Sequence, residues 1–183
     1  MFWTGVLEDR PHFLRLWAGF LDEQRKSGSH VLPNLKNLYM CLEHFENYAA
    51  GRIRGGTVFY SPGDELEPVA VVMGGDRGIP DEWETDLGIM ATLWGVYVEP
   101  EYRGQGIAIK LFRELFRVGL EQGIDSIDTC VLAGNQHGEE VAEAFGTQFY
   151  ARQFIVSLQH PEILTNERAR KGLDREIGGS GNG

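Results

Sequence analysis

The first part of the chain contains two segments whose apolar residues recur every three or four positions, which is the period of a helix. The first segment runs from Pro11 to Gln24, with Asp9 placed to cap its first turn. The second runs from Leu35 to Ala50, and Gly51 follows where a helix can end. The pattern therefore predicts two amphipathic helices before any strand.

The spacing of apolar residues then changes to that of strands. Residues 57–60 and 68–73 are rich in β-branched and apolar side chains, and a Ser-Pro-Gly-Asp turn lies between them. They are expected to form a hairpin. A longer extended run, residues 90–98, ends at a Glu-Pro pair. Together these segments predict three strands that follow the two helices.

The remaining segments alternate between helix and strand. A helical period returns after Gly106 and lasts until Gly123, and residues 126–132 read as a short strand. Residues 139–150 are expected to be helical, and residues 154–158 to form the last strand. A hairpin followed by this alternation predicts an α/β (α+β) fold, with a mixed central sheet and helices on both faces.

The length and composition are those of one globular domain: 183 residues, 42% apolar and 24% charged. We expect a domain of residues 1–160 and a C-terminal extension of residues 161–183 with a Gly-rich tail. No run approaches the about 18 consecutive apolar residues of a membrane span. The N-terminal residues do not resemble a secretory signal either, so a cytoplasmic location is predicted. Cys41 and Cys130 are expected to be buried, reduced thiols.

The charge of the chain is strongly acidic, with 17 basic against 27 acidic side chains and a formal net charge of −10. A protein that binds nucleic acid through its phosphates needs a basic face, so this balance argues against nucleic acid as a partner. An anionic ligand would have to be held locally, by backbone N–H groups or a few cations. Eight of the acids lie between Asp64 and Asp86, with Arg77 as the one base. That segment indicates either a solvated loop or a surface for a cationic partner.

A glycine-rich stretch between the long extended run and the following helix carries the strongest sign of chemistry. A strand, a Pro-containing turn, the loop Arg103-Gly104-Gln105-Gly106 and a helix start follow one another there. Such a loop exposes backbone N–H groups, and the helix start adds a positive dipole end, so a pyrophosphate can bind. The spacing excludes a dinucleotide-binding fingerprint, which needs a glycine where Ile109 stands. It also excludes a Walker loop, because no Gly-Lys-Ser/Thr follows.

The pattern Arg103-x-x-Gly106-x-Ala108, with its flanking sequence from Val98, resembles the acyl-CoA-binding signature of the GNAT N-acetyltransferase superfamily. The order of predicted elements, over residues 13–158, is also similar to that of the superfamily. The resemblance implies a GNAT fold whose central sheet contains a splayed strand pair. It also implies an acyl-CoA-dependent N-acyltransferase, which transfers acetyl from acetyl-CoA to an amine by direct attack.

The resemblance also implies roles for individual residues. The strand edge at Val96, Tyr97 and Val98 would pair with the pantetheine arm of acetyl-CoA, and the N–H of Val98 would stabilise the developing oxyanion. Asn135 matches an Asn that contacts the cofactor arm in many members, although a loop residue of this kind could equally form a turn. The residues that would hold the pyrophosphate are Arg103, Gly104, Gln105, Gly106, Ile107 and Ala108.

The sequence identifies the acid and the base of the reaction less clearly than the residues that would bind the cofactor. Tyr150 resembles the residue that protonates the departing thiolate in many members, but Gln153 replaces the Gly that usually precedes the Phe, here Phe154, and the segment is one residue short. Where some members carry a basic glutamate, this chain has Thr92, which cannot accept the proton. No other residue stands out as the base, and no metal site is predicted. The remaining candidates for the base are Tyr97, Glu82, Glu84, Asp86 and His137.

The acceptor site would be shaped by the two N-terminal helices and the acidic loops between residues 61 and 90. Their charge favours a cationic acceptor: a small-molecule amine such as a polyamine or an aminoglycoside-like compound, or a protein lysine or N-terminus. No membrane partner is expected, and a homo-oligomer is left open. The alternative is a non-catalytic GNAT-fold protein that serves as a binding, structural or interaction module. Thr92 and the imperfect segment around Tyr150 favour that alternative.

Overall fold

The computed structural model describes residues 1–26, 35–63, 67–76, 88–131 and 135–144. Its helices and strands follow the predicted order, with one additional strand at the start. Two short 3-10 turns, Leu7–Asp9 and Pro100–Tyr102, accompany them. The main elements are β1 (Phe2–Thr4), α1 (Arg10–Lys26), α2 (Leu35–Ala49), β2 (Gly55–Tyr60), β3 (Ala70–Asp76), β4 (Met90–Val98), α3 (Ile107–Glu121), β5 (Ser126–Thr129) and α4 (Gln136–Ala144).

The five strands form one mixed sheet in the order β1-β2-β3-β4-β5. β1 to β4 run antiparallel to their neighbours, whereas β5 lies parallel to β4. Parallel neighbours need a crossover connection, and α3 is the helix that provides it. The predicted α/β fold with a mixed sheet is confirmed.

Helices cover both faces of the sheet, because successive strand residues point to opposite sides. Phe59 and Met73 pack with α1 and α2 in a core that is rich in aromatic rings. Val58 and Val72 pack on the other face, against the apolar side of α3. Each face therefore buries its own cluster, and the central strand β3 contributes side chains to both.

The ends of the sheet differ from the prediction. β1 has only three residues, too few to show a strand period, and Gly5 N–H donates to the Thr57 carbonyl (2.7 Å) where β1 ends. β5 stops at Thr129 instead of residue 132, and α4 begins at Gln136 instead of residue 139. The predicted strand at residues 154–158 and the domain boundary after residue 160 lie outside the described residues. Among the described helices, none is long and apolar enough to cross a membrane.

The two cysteines are not both buried, and no disulfide joins them. Cys41 on α2 is partly buried, and this burial raises the pKa of its thiol. Cys130 is exposed, so the prediction of a buried thiol is wrong at this position. The physical reason is that β5 ends one residue earlier, so the alternation that would turn residue 130 inward does not reach it.

Candidate active site

β4 changes its pairing halfway along its length. Met73 of β3 lies opposite Gly95, but the next β3 residue, Gly74, lies opposite Leu93. Trp94 therefore has no partner on β3 and forms a β-bulge. Trp94 packs with the α1 and α2 core, and a Cβ at Gly95 would meet the ring of Phe20 on α1. Two successive residues thus face the same side of the sheet, as a bulge requires.

Only the first half of β4 is paired on both edges. Its parallel register with β5 ends at the pair Leu93–Thr129, whereas its antiparallel register with β3 continues to Val98. From Gly95 to Val98, the edge that faces away from β3 has no strand partner within the described ranges. We call this stretch, residues 95–98, the open edge. Such an edge is what the splayed strand pair implied by the resemblance requires of β4.

The hydrogen-bond phase of the β3–β4 ladder decides which groups the open edge presents. Glu99 N–H donates to the Val69 carbonyl (2.9 Å), and opposed residues in an antiparallel ladder alternate between bonded and non-bonded pairs. Tyr97 therefore bonds back to β3, whereas the backbone groups of Val96 and Val98 point away from it. Of the three edge residues predicted from the sequence, these two valines offer backbone groups to a ligand.

The glycine loop connects the open edge to α3. Gly104 and Gly106 have φ angles of 73° and 70°, in a region that side chains disfavour. At either position, no atom lies within 4 Å of the place a Cβ would take. α3 starts at Ile107 without a side-chain cap and without an acid in its first turn. Its first N–H groups therefore remain available to an anion.

Arg103 ties this loop to its neighbours. Its Nε donates to the Val98 carbonyl (2.8 Å), and its Nη2 pairs with Glu23 of α1. The guanidinium also lies over the Tyr97 ring, 5.8 Å from the ring centre. Burial, followed by the nearby Glu23 carboxylate, raises the pKa of Tyr97. Arg103 therefore joins the loop to β4 and α1, and a carboxylate already matches its charge.

A second polar pair lies between β4 and β5. Thr92 Oγ1 donates a short hydrogen bond to Asp128 Oδ1 (2.5 Å), and the two residues are direct partners in the parallel register. Thr92 is 6% exposed, whereas Asp128 is partly exposed. The position expected for a strand base thus carries a hydroxyl that holds a carboxylate of the neighbouring strand. Sequence reasoning missed Asp128, because only the β4–β5 register brings it beside Thr92.

Side chains of α2 hold the bulge. Trp94 Nε1 donates to Tyr48 Oη (2.9 Å), and the His44 ring lies 4.6 Å from that of Trp94. Burial raises the pKa of Tyr48 to about 12, so the hydroxyl stays neutral. Gly75 admits the Tyr48 ring, because a Cβ there would lie 2.5 Å from it. The sequence indicates this contact only through the aromatic residues that recur at helical spacing along α2.

The other predicted site residues lie farther along the chain. Asn135 caps α4: its Oδ1 accepts from Gly138 N–H (3.1 Å) and its carbonyl accepts from Glu139 N–H (3.1 Å). Asn135 thus forms a turn, as the alternative predicted, and its contact with the cofactor arm stays a prediction. The backbone of His137 belongs to α4. The candidates that lie outside the described residues are Tyr150, Glu82, Glu84 and Asp86.

Residues 35–147 match the family model of the acetyltransferase (GNAT) family. The chain belongs to this family. The matched residues include the open edge, the glycine loop and α3. The family resemblance that the loop sequence suggested is thereby confirmed.

Two relatives of this GNAT protein are thialysine N-epsilon-acetyltransferases. The Bos taurus protein is 31% identical over 91 residues, which are 50% of this chain and 52% of that protein. The Sus scrofa protein is 34% identical over 66 residues, which are 36% of this chain and 39% of that protein. The match thus spans about half or less of the length of these relatives.

Solved structures share the fold of this GNAT protein. A mutant of the BH1408 protein from Bacillus halodurans has a TM-score of 0.68 at 15% identity, covering 86% of this chain and 99% of that chain. AAC(6')-Iy in complex with the bisubstrate analog CoA-S-monomethyl-acetylneamine has a TM-score of 0.61 at 14% identity, covering 86% and 96%. At such identities the likeness shows the fold alone, and it confirms the predicted GNAT fold.

Proposed function

We propose that this protein is an acetyl-CoA-dependent N-acetyltransferase in which a bound amine attacks the thioester directly. The observation that carries the proposal is the open edge of β4, which leads into the glycine loop and the uncapped start of α3. A ligand with an amide-containing arm and a pyrophosphate fits this succession of groups, and acetyl-CoA has both. Membership of the GNAT family supports acetyl as the transferred group.

The proposed position of acetyl-CoA uses backbone groups more than side chains. The amides of the pantetheine arm would pair with the N–H and carbonyl of Val96, which point away from β3. The Val98 carbonyl accepts from Arg103 Nε, so Val98 would offer its N–H to the thioester end of the arm. The pyrophosphate would lie on the N–H groups of residues 105–108, at the positive end of α3. Gly104 and Gly106 leave room for its oxygens, because no side chain occupies either position.

Lys110 is the side chain that we assign to the phosphates. It is exposed on α3, one turn after the helix start, and forms no ion pair within the described part of the chain. Arg103, expected from the resemblance to contact the pyrophosphate, is paired with Glu23. We therefore propose that Arg103 acts mainly by fixing the loop, while Lys110 and the backbone supply the attraction for the anion.

In the proposed reaction the amine nitrogen attacks the thioester carbonyl carbon, and the C–S bond breaks as the amide forms. The N–H of Val98 would donate to the carbonyl oxygen while negative charge develops there. The departing thiolate needs a proton, and Tyr150 is the candidate donor. This division of roles needs no covalent intermediate on the protein.

We propose a cationic amine as the acceptor. The names of the relatives and fold neighbours refer to thialysine, to acetylneamine and, for a Brucella melitensis protein, to ribosomal-protein alanine, all of which are amines. In this chain, Asp128 places a carboxylate at the start of the open edge. A carboxylate at such a position attracts a protonated amine.

Thermal unfolding with and without acetyl-CoA tests the proposed function, with ATP as the polyanion control. Acetyl-CoA at 100 times its dissociation constant should stabilise the fold by about 2.7 kcal/mol. For a chain of this size that is a rise in Tm of roughly 5–10 °C. Absence of a rise at millimolar acetyl-CoA would contradict the proposal and favour the alternative, a non-catalytic binding or structural module.

A matched pair of glycine variants assigns the effect to the loop. Gly106→Val places a side chain at a φ of 70° at the start of α3, and Gly123→Val does the same at a φ of 75° just beyond its end. Both should lower the Tm through similar backbone strain. Only Gly106→Val should also abolish the rise caused by acetyl-CoA. Equal responses of the two variants to acetyl-CoA would place its phosphates elsewhere.

A further inference from the structure

Direct attack on a thioester requires an unprotonated amine, whereas alkylamines are protonated near neutral pH. A base must therefore lie near the place where the acceptor nitrogen meets the open edge. Thr92 cannot serve, because its hydroxyl is the donor in its hydrogen bond to Asp128. Tyr48 cannot serve either, because its pKa is raised to about 12 and its oxygen accepts the Trp94 N–H.

We propose that Asp128 is the general base of the acetyl transfer and that Thr92 is the residue that positions it. The inference rests on the proposed function, which supplies the amine and the thioester. Three observations carry it: where Asp128 lies along β5, which face of the sheet it occupies, and what orients its carboxylate.

Asp128 lies at the point where β4 and β5 part. It pairs with Thr92 in the parallel register, and the next pair, Leu93–Thr129, is the last before the open edge. A strand advances about 3.3 Å per residue, so one residue step separates Asp128 from the start of the gap. Asp128 is partly exposed, so part of its surface is open to water.

The carboxylate also lies on the side of the sheet that α1 and α2 cover. Its neighbour Ile127 lines a small cavity together with Leu115 and Gly119 of α3. Successive strand residues point to opposite faces, so Asp128 shares the other face with Trp94 and Tyr97. This is the face on which the N-terminal helices are expected to shape the acceptor site.

Thr92 orients the carboxylate. The hydrogen bond from its buried hydroxyl fixes one oxygen of Asp128 at 2.5 Å. A carboxylate held in this way loses little further freedom when it accepts a proton. Thr92 thus occupies the expected base position and acts through its partner on the next strand.

Asp128 would take part in the first of two proton transfers. The carboxylate of Asp128 takes one proton from the ammonium group of the acceptor through a bridging water. The freed lone pair attacks the thioester carbon, and the C–S bond breaks. The departing thiolate takes a proton from the acid proposed above, and a second proton of the nitrogen restores that acid, which gives the amide and free CoA. Asp128 then releases its proton to solvent.

Steady-state kinetics of the full chain with acetyl-CoA test the inference, with spermidine, neamine and thialysine as acceptors. Asp128→Asn keeps the shape of the side chain and an oxygen that can accept the Thr92 bond, but it cannot act as a base. We expect kcat to fall at least about 100-fold, while the rise in Tm caused by acetyl-CoA stays unchanged. Thr92→Val should lower kcat by a smaller factor, and Thr92→Ser should restore it.

Asp125→Asn is the matched control. The Asp125 carboxylate also lies beside the β4–β5 pair, but it accepts the Ile89 N–H (2.8 Å) at the start of β4. Its replacement should lower stability and leave kcat within about threefold of the wild-type value, because the hydrogen bond that it removes is structural and is not part of the reaction.

The outcomes separate the inference from the proposed function. Turnover by Asp128→Asn at the wild-type rate would overturn the role of Asp128 and leave the acetyltransferase proposal standing. If the wild-type chain acetylates none of the three amines, the result contradicts both the proposed activity and the assignment of Asp128 as its base, even where acetyl-CoA still raises the Tm. Equal kcat for Thr92→Val and Thr92→Ser would remove Thr92 as the positioning residue.

Discussion

The two halves of β4 have the same kind of backbone and different surroundings. Residues 91–93, the closed half, pair with β3 on one edge and with β5 on the other, whereas residues 95–98, the open half, pair with β3 as their one strand partner within the described ranges. The bulge at Trp94 separates the two halves. The closed half is paired on both edges, while the open half presents both backbone groups of Val96 and the N–H of Val98 at a fixed spacing.

A rigid sheet can supply a binding edge where one of its strands loses a neighbour. The β3–β4 register is continuous on both sides of the bulge, so the open half is held by one complete ladder. That ladder also fixes which residues of the open half bond to β3. The N–H groups of residues 96 and 98 therefore face the gap, whereas the N–H of residue 97 points to β3. The closed half is paired on both edges and so fixes the register of β4. This register sets the geometry of the open half.

The largest expected effect comes from placing proline at successive residues of the open half. Tyr97→Pro removes an N–H that bonds to β3 and leaves its acceptor unpaired, which should cost about 2–3 kcal/mol. Val96→Pro removes an N–H that faces the gap, as an edge position allows, and should cost at least about 1 kcal/mol less. Urea unfolding with and without acetyl-CoA measures both, and only Val96→Pro should remain folded while losing the stabilisation by acetyl-CoA.

Tyr97→Val serves as the control for the loss of the aromatic ring, which packs against Gly19 of α1. The part of the Tyr97→Pro effect that exceeds that of Tyr97→Val reports the backbone bond. Equal costs for the prolines at residues 96 and 97 would contradict the phase assigned to the ladder.

A smaller effect is expected where α2 holds the bulge between the two halves. Tyr48→Phe removes the acceptor of the Trp94 N–H and should cost about 1 kcal/mol at pH 8. The pKa of Tyr48 is raised from 10.0 to about 12, so its neutral form favours the folded state. This contribution is fully present below pH 10 and is lost as the pH rises through 12.

The advantage of the wild-type chain over Tyr48→Phe should therefore shrink between pH 10 and pH 12, and urea unfolding at pH 8 and pH 11.5 measures it. Trp94→Phe removes the donor of the same bond and leaves Tyr48 to titrate, so it should keep the wild-type dependence on pH in this range. A difference between wild type and Tyr48→Phe that stays constant up to pH 12 would contradict the burial of Tyr48.

The smallest effect concerns the ion pair at the far end of the open half. Glu23→Gln releases Arg103 from a partly exposed pair and should cost less than about 1 kcal/mol of stability. The freed positive charge lies beside the glycine loop, so the Kd for acetyl-CoA should fall by roughly two- to fivefold at low salt, and less at high salt. Isothermal titration calorimetry measures this change.

Asp22→Asn is the control for that prediction, because Asp22 pairs with Lys26 on the same helix (2.6 Å). It should lower stability by a similar amount without changing the Kd for acetyl-CoA. A lower affinity in Glu23→Gln would mean that the pair helps to build the loop instead of competing for Arg103.

Much of the fold could be predicted from the sequence, because local patterns determine it. The apolar residues of α1, α2 and α3 recur at helical spacing, and each set packs into one of the two core clusters. The strands around residues 57–60 and 90–98 follow from runs of β-branched and apolar residues. The glycine loop could also be recognised, since positive φ angles at Gly104 and Gly106 are a local requirement.

The parts that were not predicted depend on contacts between distant segments. Residues 90–98 read as one uninterrupted strand, and nothing local places a bulge at Trp94; the bulge follows from packing against α2 and from the register with β3. The pairing of Asp128 with Thr92 depends on the parallel register, which α3 sets across the whole crossover. The wrong prediction of a buried Cys130 has the same cause, because the length of β5 depends on how far β4 pairs with it.

Residue-resolved amide hydrogen exchange, with and without acetyl-CoA, tests the open edge most directly. In the free protein the amides of Val96 and Val98 should exchange much faster than that of Tyr97, which bonds to β3. Acetyl-CoA should slow exchange at residues 96 and 98 and leave residue 97 as protected as before. Equal protection of all three amides in the free protein, or no change at the valines with saturating acetyl-CoA, would contradict the proposal that this edge binds the cofactor arm.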